Sequence, residues 1–144
     1  MLRAYEVGVR TGVGYLAGVP ARNVSREITS FIEELKRKLA GADSRFPLGA
    51  ELGDSDEFVV LELAAWAHGE WVRIHPFANG NGRTARLWGV FVCARYGLEA
   101  FLSARPRPQH TDFPAAAAAS MAGDHFPMAL VFVDLLNAVR SEPS

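Results

Sequence analysis

His75-Pro76-Phe77-Ala78-Asn79-Gly80-Asn81-Gly82-Arg83-Thr84-Ala85-Arg86 links two strongly apolar stretches of the chain. On its N-terminal side, Phe58 to Ile74 is apolar nearly all round. A helix without a polar face belongs in the centre of a domain. Pro76 stops that helix, because the residue before a proline is pushed out of helical geometry. On the C-terminal side a second buried helix is expected from Gly82 to Tyr96, with Leu87, Val90, Phe91 and Ala94 inward and Gly97 as its stop. Two glycines in three residues, Gly80 and Gly82, let the intervening backbone turn tightly and approach a ligand closely. The turn opens a helix whose first N–H groups are unsatisfied and carry partial positive charge, a ready anion site. Arg83 and Arg86 are three apart and share a helix face, which suits a di- or triphosphate. His75 leaves the preceding helix beside the same turn, and imidazole exchanges protons near neutral pH. A base beside a phosphate cradle points to phosphoryl or nucleotidyl transfer.

The rest of the chain also reads as helices. Asn23 or Ser25 caps an amphipathic helix running to about Ala40, with Ile28, Phe31, Ile32, Leu35 and Leu39 in one stripe and Gly41 as its end. Glu33/Arg37 and Glu34/Lys38 are spaced for ion pairs on its opposite, solvated side. Residues 42–53 form a loop, with a weak hairpin signal from Phe46 to Leu52, and Asp54 with Glu57 reads as a capping box for the central helix. After a basic loop, Ser103 to His110, Asp112 is placed to cap a small-residue helix holding Ala115 to Ala119. Gly123-Asp124 turns the chain into a last helix, Pro127 to Arg140. Residues 1–22, with Gly8, Gly12, Gly14, Gly18 and Pro20, read as turns and irregular structure after a short first helix. No run of alternating residues stands out, so the expected class is all-α, in one domain spanning 1–144.

Composition narrows the function. The chain has 144 residues, 15 Lys+Arg against 16 Asp+Glu, and a net charge of -1, which argues against a basic nucleic-acid binder and a polybasic membrane binder. At 49% hydrophobic and 22% charged it has the composition of a folded globular protein. No apolar run reaches the ~18–20 residues of a membrane span. Glu6 and Arg10 break any secretory apolar segment, so a cytoplasmic protein is expected. A single cysteine, Cys93, excludes an internal disulfide framework and reads as an inert core thiol. Trp66, Trp71 and Trp88 read as core residues. His68 reads as a hydrogen-bonded, partly buried histidine, and His110 and His125 as solvated loop residues. Glu70 is suited to an ion pair with an arginine.

The linking segment resembles the signature of the Fic (filamentation induced by cyclic AMP) family, His-x-Phe-x-Asp/Glu-Gly-Asn-Gly-Arg-x-x-Arg. His75, Phe77, Gly80, Asn81, Gly82, Arg83 and Arg86 match in order, as does Pro76, which many members carry. The acidic position is filled by Asn79. The resemblance implies an all-helical domain that moves AMP, or another phosphate-containing group, from a nucleotide to a hydroxyl. It implies ATP as donor, His75 as general base, and phosphate contacts from Asn79, Gly80, Asn81, Gly82, Arg83 and Arg86. Pro76 and Phe77 would fix the loop. The loop at 46–52 would be the flap that aligns a target segment, and Phe113 would stand where many members carry a tyrosine near the base.

In the family the acid at the Asn79 position holds Mg²⁺. A neutral amide binds this hard cation weakly or through water. Three readings stay open: use of Mg-ATP with the nucleotide supplying most ligands, use of another donor or substrate, or binding without chemistry. The acceptor that the resemblance implies is a protein or small-molecule hydroxyl. Members often carry an inhibitory helix with Ser/Thr-x-x-x-Glu followed by Gly or Asn. Ser30…Glu34 and Thr29…Glu33 lack the last element, so an inhibitor, where there is one, would be a separate protein.

Overall fold

The computed structural model describes residues 1–11 and 14–143. Its elements are a hairpin of β1 (Gly8–Thr11) and β2 (Gly14–Ala17), then α1 (Val24–Arg45), α2 (Asp54–Ile74), α3 (Asn81–Arg95), α4 (Phe113–Met121) and α5 (Phe126–Arg140). A single 3₁₀ turn, Ala21–Asn23, leads into α1. The fold is all-α with one small antiparallel hairpin. Among the described residues no helix is long and apolar enough to cross a membrane.

α2 is the axis, packed against α1, α3, α4 and α5. Its sequence explains that position. Val60, Ala64, Ala65, Ala67 and Ile74 are fully buried, and they lie on more than one face. The small side chains let neighbouring helices approach closely, while α5 returns Met128, Phe132 and Leu136 into the gaps. Between α1, α2 and α3 the aromatics form one cluster. Phe31 stacks on Trp66 at 5.4 Å and meets the edges of Trp71 and Trp88 at 5.4 and 5.3 Å. α4 turns Phe113, Ala116, Ala118 and Ser120 inward, as a small-residue helix should.

Several local expectations are corrected. α1 continues through Gly41 to Arg45. A helical glycine costs about 1 kcal/mol, and tertiary contacts outweigh it here. Phe46 just beyond is buried, and Asp43 accepts hydrogen bonds from Tyr96 (2.9 Å) and Arg95 of the α3 end. Glu34, rather than Glu33, pairs with both Arg37 and Lys38. The N-cap of α2 is Gly53, so Asp54 lies inside the helix and no side-chain capping bond forms.

On α3 the inward residues are Ala85, Arg86, Gly89, Val92 and Cys93, whereas Leu87 and Phe91 are exposed. The helix is phased by its motif. Arg86 must lie under the following loop, and Gly89 sits where a Cβ would meet Leu102 Cδ2 at 2.9 Å. The sheet-like segment is also not where it was expected. Residues 47–53 contain a turn and no strand, while β1 and β2 pair Gly8 with Ala17 and Val9 with Leu16. Gly12, read as a turn residue, lies outside the described residues.

Candidate active site

His75 ends α2 in the left-handed conformation, with φ 52° and ψ 59°. Such a backbone costs a non-glycine residue about 1–3 kcal/mol and persists only where its surroundings hold it. Arg3 supplies the hold. Its buried guanidinium donates to the carbonyls of Ile74 (3.0 Å), His75, Val19 and Tyr5 (2.9 Å). Its own amide donates to Pro76 O at 2.8 Å. A cation on the last carbonyls of a helix is favoured by the helix dipole. Gly18 makes the approach possible, since a Cβ there would stand 3.2 Å from Arg3 Nη2 and 3.5 Å from His75 Cβ. The base of the hairpin and the end of α2 are thereby tied together. No sequence pattern marks Arg3, because its partners are up to 73 positions away.

Nδ1 of His75 lies 3.2 Å from Val72 O. A carbonyl only accepts, so the ring proton sits on Nδ1 and the Nε2 lone pair is left to take a proton. Burial pushes this imidazole below its ordinary range. The Val72 hydrogen bond opposes that effect and the Arg3 charge adds to it. His75 is therefore neutral at pH 7, the form a general base requires.

The turn beyond is braced from within. Asn81 is buried, its Oδ1 accepts from Phe77 N and its Nδ2 donates to Phe77 O, both at 2.9 Å. Its side chain thus braces the loop, and the backbone N–H and the second Nδ2 hydrogen remain as donors to an anion. Pro76 is buried, and Phe77 packs 6.0 Å from Trp71. Gly80, at φ 81°, adopts the conformation that glycine tolerates best, and its carbonyl accepts from Thr84 N and Oγ1. A Cβ at Gly82 would come within 3.2 Å of Arg86 Nη1. The glycines let the two arginines fold back over the helix start.

A cavity of about 420 Å³ opens at this point, of the size that takes small ligands. Its walls bring together His75 and His68 of α2, Gly82 and Arg86 of α3, Phe113 of α4, Val9 of β1 and Arg107. The hairpin, rather than the loop at 46–52, borders the cavity. Residues 46–52 line a different hollow beside the α3 end and Arg140. Asn79, Gly80 and Arg83 line an adjoining, more open depression, and the charge of Arg83 reaches Arg86. The motif thus presents Arg86 inside the cavity and Arg83 at its neighbour.

His68 is fully buried and its Nδ1 has no partner among the described residues, in contrast to the partly buried, hydrogen-bonded histidine expected. Burial drives its pKa down to about 3, helped by the charges of Arg86 and His125, so it stays neutral. His125 is not solvated: its Nε2 meets Glu70 at 3.2 Å. Glu70 also accepts from Arg73, which reaches Glu27 of α1 at 3.1 Å. Burial works against the charge on Glu70, but the bonds from His125 and Arg73 outweigh it and hold the carboxyl at about 2. Cys93 is buried in the core, and burial pushes its thiol up to about 12.

The family's divalent cation finds little here. Asn79 is exposed and offers a neutral oxygen, no carboxylate lines the cavity, and no cluster of three or more His, Cys, Asp or Glu among the described residues is arranged to hold a metal. These residues do not fit a protein-held Mg²⁺.

The model of the Fic/DOC family matches residues 4–93, and the chain belongs to that family. A comparison with curated proteins finds no match. Members of the family are typically transferases.

Proposed function

We propose that this protein is a Fic-type nucleotidyltransferase that moves AMP from ATP to a hydroxyl acceptor. The observation that carries the reading is one cavity lined by both His75, its Nε2 without a hydrogen-bond partner among the described residues, and Arg86 of the first turns of α3. The acceptor hydroxyl gives its proton to His75 Nε2 as its oxygen attacks the α-phosphorus. A new P–O bond forms, the bond to the β-phosphate bridging oxygen breaks, and pyrophosphate leaves. Backbone N–H groups of Gly80 to Gly82 receive phosphate oxygens, and Arg83 and Arg86 offset the charge of the departing phosphates. Phe113 and the hairpin close the sides of the cavity, and an extended segment of a protein acceptor can pair with the hairpin edge.

The test is label transfer from α-labelled ATP in lysate of the source cell, by wild type and His75→Ala. Label on protein with wild type and a loss of about 10²–10⁴ in the variant supports the reading. The Asn79 position favours a second acceptor class, a small molecule handled with little need for Mg²⁺. Label on a metabolite rather than a protein selects it. Label on neither refutes AMP transfer.

A further inference from the structure

Arg107 lies on the loop between α3 and α4, outside the residues matched by the family model. Its side chain is exposed at the rim and lines the same cavity as His75, Gly82 and Arg86. The loop that carries it is tied at both ends. Arg86 donates to the carbonyls of Ser103 (3.1 Å) and Ala104 (2.6 Å). At the far end His110 Nε2 meets Asp134 at 3.0 Å and His110 Nδ1 accepts from Asp112 N at 3.0 Å. Arg107 is presented between two fixed points, which lowers the entropy lost when it takes a ligand.

The charges at this spot are one-sided. None of Arg83, Arg86 and Arg107 forms an ion pair among the described residues, although most arginines of the helices do. Burial, then the charges of Arg107 and Arg83, weaken the proton affinity of Arg86. Like charges gathered around a cavity without a counter-charge raise the local concentration of an anion. Their planar forks match phosphate oxygens. At the position where the family signature carries an acid, the chain has only the Asn79 amide.

We infer that Arg107 is a substrate-binding residue which, with Arg83 and Arg86, grips the terminal phosphates of the donor and supplies the positive charge that a protein-held divalent cation would otherwise bring. The cradle is a site for a polyphosphate. Its identification with the donor site rests on the transferase reading above.

The test is calorimetric binding of ATP, AMP and inorganic tripolyphosphate in EDTA and in Mg²⁺. Wild type, Arg107→Gln, Arg107→Lys and Arg37→Gln are compared. Arg37 lies on the exposed face of α1 and controls for the loss of one positive charge. Wild type is expected to bind tripolyphosphate and ATP in EDTA within about threefold of the Mg²⁺ value. Arg107→Gln should weaken both by about tenfold or more, in the range of a lost charged hydrogen bond, and leave AMP within about twofold. Arg107→Lys should fall between. Tripolyphosphate binding in EDTA that is absent, or unchanged in Arg107→Gln relative to Arg37→Gln, overturns the inference. Arg107-dependent tripolyphosphate binding without ATP binding upholds the cradle and refutes the nucleotide reading.

Discussion

Replacing Arg3 by alanine tests whether the N-terminal segment holds His75, the proposed general base. The variant removes a donor to several carbonyls at the end of α2 and the base of the hairpin. Two of these, Val19 O and Ile74 O, are bonded to Arg3 in a buried setting. Leaving a buried acceptor unmade costs about 1–3 kcal/mol, so two cost about 4 kcal/mol. That is a large share of the roughly 5–15 kcal/mol by which a domain is stable. At about 2–4 °C per kcal/mol for a chain of this size, the melting temperature falls by about 10 °C. The assay is urea unfolding, read as a fall in the midpoint with an unchanged slope, alongside label transfer well below the melting point. The left-handed geometry of His75 relaxes once its carbonyl is released, so activity falls about tenfold or more even in the folded fraction. A variant with stability within 1 kcal/mol of wild type and full activity would refute the clamp.

Other expectations follow from the same geometry. His68 is neutral when folded and has an ordinary imidazole pKa when unfolded, so the unfolded chain binds the extra proton between pH 6.5 and about 3. Stability is complete above pH 6.5 and falls by about 2 kcal/mol on going to pH 5, and His68→Gln should flatten that slope in urea titrations. His75 is shifted the same way, so kcat/KM should hold its plateau down through pH 7 and fall on an acidic limb below the usual imidazole range. A Cβ at residue 69 would stand 2.3 Å from His125 Nδ1 and 2.7 Å from Ser120 Oγ. Gly69→Ala should therefore lower thermal stability by about 1–3 kcal/mol, by overpacking. Asn81→Ala strips both braces from Phe77 and should cost about 2 kcal/mol and much of the activity. Urea unfolding and label transfer read the two effects separately.

What the sequence made legible was whatever is written locally. The helix phase of α1, the apolar axis of α2 and the cluster of motif residues around one turn depend on spacings of a few residues. Apolarity alone names Leu87 and Phe91 as inward on α3, while the actual face is set by Arg86 reaching a loop 17 residues on and by Gly89 beneath Leu102. The hairpin at 8–17 leaves little trace in the sequence because its strands are only four residues each and each begins with a glycine. Its role at the cavity comes from tertiary contacts. Arg3, Arg107 and the His125–Glu70–Arg73 chain stayed hidden for the same reason. Each gets its meaning from partners distant in sequence, and His125 is held by a carboxylate 55 positions away.

The central claim is that His75 drives AMP transfer from this cavity. The most direct measurement follows pyrophosphate release and the mass of the acceptor fraction together, with ATP and the acceptor-containing lysate, for wild type and His75→Ala. The account predicts that wild type releases pyrophosphate in step with a gain of one AMP on the acceptor, and that His75→Ala, folded by circular dichroism, does neither. Pyrophosphate release and AMP gain that persist in His75→Ala would contradict it.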